Sequence, residues 1–351
     1  MQGNATIFSG QGYPVLQNRV YPTREAATTC PTGDIRIVQN NKTGLVHNSA
    51  FDPAIVIYDG EYDNEQGKSQ AFQAHLANVL THLKTHFAER TLLEVGCGKG
   101  LFLGMLRDAG FDVLGIDPSY DGDDPSVVRA LYEPSLGLRA ECIVLRHVLE
   151  HIPDPVSFLA KMNEANGGGL IYIEVPCAEW IAEHRTWFDI FYEHVNYFRM
   201  SDLTDMFGRV VAAERLFGGQ YIGVVADLAT LRQPSIMRSG TFSFPEAFMA
   251  QVETLASEYA GIPYAIWGGA SKGVIFSLLM RQNGAEPICA VDINPAKQER
   301  FMGVSAVPII SPERAAAQLP EGTPMLVMNS NYLDEIRALT GERYKFRTVN
   351  Q

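Results

Sequence analysis

The chain has 351 residues, 46% hydrophobic and 19% charged, with a formal net charge of −12, so a soluble protein of two or three domains is expected. The negative balance opposes the phosphate attraction behind most nucleic-acid affinity, and no Lys/Arg block offsets it, which argues against nucleic acid and anionic membranes as partners. Five scattered cysteines, never in C-x-x-C spacing, with no basic-then-apolar leader and no apolar run near the roughly 18 residues of a membrane span, point to a reduced, cytoplasmic protein.

Residues 1–57 are rich in Gly, Asn, Thr and Pro and are expected to form short strands and turns. Two fragments, Phe8-Ser9-Gly10-Gln11-Gly12 and Asn40-Asn41-Lys42-Thr43-Gly44, have the layout of a C-x-x-C-G zinc knuckle with both cysteines replaced. Phe, Gln, Asn and Thr cannot supply thiolate or imidazole ligands, and His47 and Cys30 are too few, so no zinc is expected. The segment IYDGEYDN that follows carries Tyr58 and Tyr62; a loop tyrosine entering a helix is usually a packing residue, and folding of this loop over a cofactor is the alternative. From Ser69 to about Phe87, apolar residues at Phe72, Leu76, Leu80 and Leu83 predict a helix with one buried face. His75, His82 and His86 are expected at its surface or boundary.

Leu92 to Asp117 reads as strand, glycine turn, helix, strand. Gly96, Gly98 and Gly100 allow a ligand to lie directly on the backbone beside a helix N-terminus, and Asp117 closes the second strand where ribose hydroxyls are met. The spacing is G-x-G-x-G behind an acid, not the G-x-G-x-x-G that admits a pyrophosphate. Glu94 would repel a phosphate and suits the amino group of S-adenosylmethionine (SAM). A structural glycine turn and a dinucleotide site are the alternatives.

Arg146 and His147 stand at the C-terminal end of a buried strand starting near Cys142, the side on which doubly wound sheets bind ligands. His147 and His151 are four apart, yet the spelling H-V-L-E-H is not that of a zinc protease and no third ligand is evident, so no metal is expected. Strand GLIYIEVP follows, ending near Glu174. WFDIFYEHVNYF (187–198) then brings aromatics together with Asp189, Glu193, His194 and Asn196. A histidine beside an acid in a water-excluding cluster reads as a general base with its orienting carboxylate, although sequence neighbours need not touch. After a linker containing Pro234, Ser239 and Gly240, a second unit runs from Pro263 through the turn Gly268–Gly273 to Asp292, with Lys272 placed to meet a phosphate.

These motifs, EVGCGKG with IDPS, RHVLEHIPDP, the E-H pair of YEHVNYF, and WGGASKG followed by VDINPAKQ, resemble those of the C-methyltransferase family that acts on nucleotide-linked keto sugars. The resemblance implies an α/β protein with a degenerate zinc-ribbon-like domain at 1–57, a class I SAM methyltransferase core at 58–230, and a Rossmann-like domain at 231–351 that binds the substrate nucleotide or carrier. SAM would be held by Glu94, Gly96, Gly98, Gly100 and Asp117, with Pro118, Arg146 and His147 beside them. His194 would be the base, supported by Glu193, with His151, Tyr62, Tyr192 or Tyr197 orienting the acceptor. Gly268, Lys272 and Asp292 would hold the nucleotide. The family's tyrosine two residues before the Glu is Phe191 here, and Tyr192 could replace it only with a shifted backbone. An O- or N-methyltransferase, and a SAM-binding module without turnover, are the other readings.

Overall fold

The computed structural model describes residues 5–58 and 67–350, and the expectation placed on Tyr62 lies outside them. Its chain is organised around three sheets. Strands β1 (Thr6–Pro14), β3 (Thr32–Gln39) and β4 (Val46–Asn48) form a small antiparallel sheet in the order β1-β3-β4. The two knuckle-like fragments lie here, and ordinary packing occupies their positions. Phe8 is buried and meets Phe244 and Phe248 edge-on at 6.3 and 6.1 Å. The Asn40 side chain accepts hydrogen bonds from the Lys42 and Thr43 N–H groups, so a hydrogen-bonded turn stands at this fragment.

Between β1 and β3 the chain leaves this sheet. Strand β2 (Val20–Tyr21) pairs at the far edge of the C-terminal sheet, with Tyr21 opposite Phe301. The N-terminal segment is therefore shared between two sheets.

The central sheet contains β5 (Leu92–Val95), β6 (Val113–Ile116), β7 (Val127–Val128), β8 (Cys142–Arg146), β9 (Leu170–Pro176), β10 (Val210–Leu216) and β11 (Tyr221–Asp227), in the order β10-β11-β9-β8-β5-β6-β7. Its first five strands are parallel and β11 runs antiparallel to β9. A parallel sheet needs both faces covered, which explains why Cys142 to Leu145 are apolar without alternation and have 0% exposure. Helix Gln70–Phe87 covers one face with Phe72, Leu76, Val79, Leu83 and Phe87. His75 lies on that same stripe and is buried, which corrects its expected surface position: it falls three residues after Phe72 and one before Leu76. The side chain of Ser69 caps the helix and donates to Glu335, which also accepts the Gln70 and Ala71 N–H groups.

The C-terminal sheet has the order β17-β16-β12-β13-β15-β14-β2. Strands β12 (Ala265–Trp267), β13 (Cys289–Val291), β15 (Pro308–Ile310), β16 (Pro324–Val327) and β17 (Lys345–Thr348) are parallel, and β14 (Arg300–Met302) is antiparallel to β15. Among the described residues no helix is long and apolar enough to cross a membrane.

The linker after β11 is packed. Arg199, buried, forms a two-point ion pair with Asp202 at 2.9 and 2.6 Å and donates to the carbonyls of Gly44, Ser239 and Gly240. One guanidinium thus joins the N-terminal sheet, the core and the linker. Its planar fork supplies the several donors that a lysine lacks. Arg199→Met leaves Asp202 as an unpaired buried charge and is expected to lower the unfolding free energy by about 3–5 kcal/mol. Chemical denaturation reads this loss, and Arg199→Met with Asp202→Leu should recover much of it.

Candidate functional site

Both glycine turns open on one cleft of about 380 Å³, located where strand order reverses between β5 and β8. Ligands of doubly wound sheets bind at this switch point, because the turns leaving adjacent strands there diverge.

At one end is the first turn. Gly96, Gly98 and Gly100 all have positive φ, at 76°, 54° and 82°. A side chain at Gly96 would come within 2.3 Å of Val148, whereas at Gly98 nothing stands within 4 Å. Gly98 therefore presents bare backbone to the cleft. Glu94 is 3% exposed and its Oε2 has no hydrogen-bond partner among the described residues. Burial pushes its pKa up to about 8, with Arg146 opposing and Asp117 reinforcing the shift. An orphaned buried carboxylate oxygen beside an open glycine fits a ligand ammonium. Asp117 accepts from the Gly98 and Ser119 N–H groups at 2.9 and 2.7 Å, bracing the turn. Gly100, Asp117 and Pro118 do not themselves line the cleft.

The side wall depends on Glu174, buried at the end of β9. Its carboxylate takes two hydrogen bonds from Arg146, at 3.0 and 3.2 Å, one from Tyr172 at 2.9 Å, and contacts His75 and His147 at 2.8 and 3.2 Å. Burial alone would raise its pKa, but these partners, Arg146 foremost, hold it well below the usual carboxylate range. Arg146 also lies 4.4 Å from the centre of the Phe102 ring. His147 has φ 52°, uncommon for a residue with a Cβ. Burial disfavours its cation, yet Glu150 and Glu174 outweigh that and raise its pKa to about 9.

At the other end stand His151, His194 and Glu150. His151 occupies a 3-10 turn (Leu149–His151) ahead of helix Pro155–Asn166, rather than the helix itself. Its Nδ1 lies 2.9 Å from the Glu193 carbonyl and 3.2 Å from the Tyr58 hydroxyl. A carbonyl only accepts, so Nδ1 carries the proton and Nε2 is left with the lone pair. The His194 ring stands edge-on to His151 and Phe191, at 4.9 and 4.8 Å, and its nitrogens have no hydrogen-bond partner among the described residues. Burial, then the nearby His151, His147 and Lys272, lower its pKa well below the ordinary histidine value.

The expected support of His194 by Glu193 is replaced by a different arrangement. The buried Glu193 carboxylate accepts from the Gln17 N–H at 3.0 Å and from the Tyr58 hydroxyl at 3.1 Å, and lies 3.8 Å from His151. Glu193 therefore braces His151. Tyr192 and Tyr197 are likewise turned from the cleft. Tyr192 accepts from the Asp52 N–H, and the buried Tyr197 bonds both backbone groups of Phe191. Gln17, Glu150 and Glu174 are the site residues that sequence reasoning missed. Only Glu174, an acid ending a parallel strand, carried a visible signal.

The second turn also faces this cleft, but its polar groups are engaged. Lys272 is ion-paired with Asp189, the Gly269 N–H donates to Asp292 at 2.8 Å, and the Ser271 N–H to the Gln17 carbonyl at 2.9 Å. A phosphate at Lys272 would have to compete with Asp189.

Residues 68–210 match the family model described as a methyltransferase domain. Residues 68–210 are a class I methyltransferase domain. The chain is 26% identical to the C-methyltransferase NovU of Streptomyces niveus over 70% of its own length and 67% of NovU. It is 29% identical to the ubiquinone biosynthesis O-methyltransferase of Methylococcus capsulatus over 40% of its length and 62% of that protein. A solved Burkholderia thailandensis 1,6-didemethyltoxoflavin N1-methyltransferase aligns over 52% of this chain and 95% of its own at 15% identity; its TM-score of 0.36 adds nothing to the sequence match. The methyltransferase is SAM-dependent, and the orphaned Glu94 oxygen and bare Gly98 backbone suit that donor.

A proton count tests Glu94. Below about pH 8 its carboxyl is neutral in the free methyltransferase, and pairing with the SAM ammonium would draw its pKa down. Binding near pH 7 should therefore release close to one proton, and the release should fade above pH 8. Calorimetry in buffers of different ionisation enthalpy reads it, and Glu94→Gln should abolish it.

Proposed function

We propose that this methyltransferase moves a methyl group from SAM to a small-molecule acceptor, a carbon next to a ketone of a nucleotide-linked sugar, with His194 removing the acceptor's proton. When bound, SAM supplies a methyl on a sulfonium that is electrophilic without further activation. What the chain must add is alignment and, for a carbon acceptor, loss of a proton. The observation that carries the reading is the placing of His194: it lines the cleft on which the first glycine turn opens, and its ring nitrogens have no hydrogen-bond partner among the described residues.

His151, braced by Glu193 and Tyr58, would accept a hydrogen bond from an acceptor hydroxyl through Nε2. Phe191 and Trp180 on the cleft wall exclude water. The second turn, with Gly268, Lys272 and Asp292 on the same cleft, supports a nucleotide carrier bound from the C-terminal side, and the similarity to NovU supports carbon as the atom methylated. An O-methyl acceptor is the second reading, favoured by the similarity to the ubiquinone-pathway enzyme.

Incubating the full chain without SAM in heavy water, with a panel of nucleotide-linked keto sugars, tests both. Carbon methylation predicts exchange of the acceptor C–H for deuterium, and an oxygen or nitrogen acceptor predicts none. His194→Gln should lower turnover by about 10²–10⁴-fold with SAM affinity retained. Unchanged turnover would remove His194 from the chemistry, and absence of turnover with every acceptor would favour a SAM-binding module.

A further inference from the structure

One buried group at the acceptor end has no use in the proton transfer above. Glu150 is 1% exposed and its Oε2 has no hydrogen-bond partner among the described residues. Its other oxygen lies 3.4 Å from His147 Nδ1. Leaving a carboxylate oxygen buried and unpaired is costly unless something binds it.

Glu150 does not stand alone. One ligand atom from each of Glu150, His151 and His194 lies within 4.8 Å of the other two. Donor atoms sharing an ion through bonds of about 2.1 Å stand about 3.4 Å apart, so the three would draw closer on binding one. His151 is already in the tautomer a metal ligand needs: its Nδ1–H faces the Glu193 carbonyl at 2.9 Å, the usual brace for a ligating histidine whose Nε2 is offered to the ion. His194 brings unpartnered nitrogens from another segment. The consecutive pair Glu150-His151 comes from a 3-10 turn and His194 from the aromatic segment, so the donors converge only in the folded chain.

We propose that Glu150, His151 and His194 hold one divalent cation of the zinc, cobalt or manganese class, through one carboxylate oxygen and two imidazole nitrogens, with open positions facing the cleft. Two imidazoles and a carboxylate form a borderline donor set that binds such ions better than magnesium or calcium. The inference deepens the proposed function, since it places the ion at the same acceptor end. A His194 lone pair bound to a cation cannot take a proton, so ion and base function exclude one another. The ion is then a reversible block of turnover, competing with the acceptor and not with SAM.

The test uses Co²⁺ added to the full chain after chelator treatment. Binding of about one equivalent, with the d–d absorption of a nitrogen- and oxygen-ligated ion, is expected. Glu150→Gln and His194→Gln should each weaken it by more than about tenfold, with SAM binding confirming that each variant is folded. No Co²⁺ binding, or binding that both variants leave unchanged, overturns the site. Unchanged binding would also assign any bound metal to adventitious surface groups. Turnover separates this from the parent reading. Inhibition by Zn²⁺ that acceptor relieves supports both. Stimulation by the ion leaves the site standing and overturns His194 as the base.

Discussion

The ion pair between Glu174 and Arg146 is the contact on which the cleft depends. A carboxylate with no solvent exposure is tolerated only because Arg146, His75, His147 and Tyr172 converge on it. These partners come from a helix and two neighbouring strands, so satisfying one charge sets the relative position of helix Gln70–Phe87, β8 and β9. The same demand places His147 at a positive φ, with its side chain against Glu174 and Glu150. The wall between the Glu94 end and the His194 end of the cleft is thus an electrostatic structure, and its geometry follows from compensating a single buried acid.

The two nucleotide-type folds use one local device in different surroundings. In each, the aspartate ending the second strand accepts an N–H of the glycine turn: Asp117 from Gly98 at 2.9 Å, Asp292 from Gly269 at 2.8 Å. The device holds the turn open while leaving its neighbours to decide what enters. Beside the first turn stands a buried acid, Glu94, with an oxygen unpartnered among the described residues, which a cation would draw into its charged form. Beside the second the available cation, Lys272, is already matched by Asp189. Similar backbones therefore differ in the ligand they favour, because ligand choice lies with the buried charges around the turn.

The N-terminal segment shows how a small sheet is kept in place by its neighbours. Phe8 packs on the linker aromatics and Arg199 ties Gly44 to Asp202 and the linker carbonyls. Strand β2 extends the C-terminal sheet, and the Gln17 N–H reaches Glu193. Through that last bond the segment reaches the carboxylate that braces His151. It takes part in shaping the site as well as in packing against the core.

Local pattern was enough to locate the glycine turns, the parallel strands around Leu92 and Ile143, the acids Glu94 and Asp117, and the histidines that line the cleft. Each depends on side-chain size, period or spacing within a few residues. Tertiary structure alone decided which partners those groups face. Glu193 turned from His194 to His151, Tyr192 and Tyr197 turned to backbone groups, and His75 became a buried partner of Glu174. Tyr58, Glu150 and Gln17 joined the site through contacts spanning many residues. The reason is physical: backbone preferences act over one turn or one strand, whereas a buried charge is compensated by whichever donors the finished packing brings within about 3 Å.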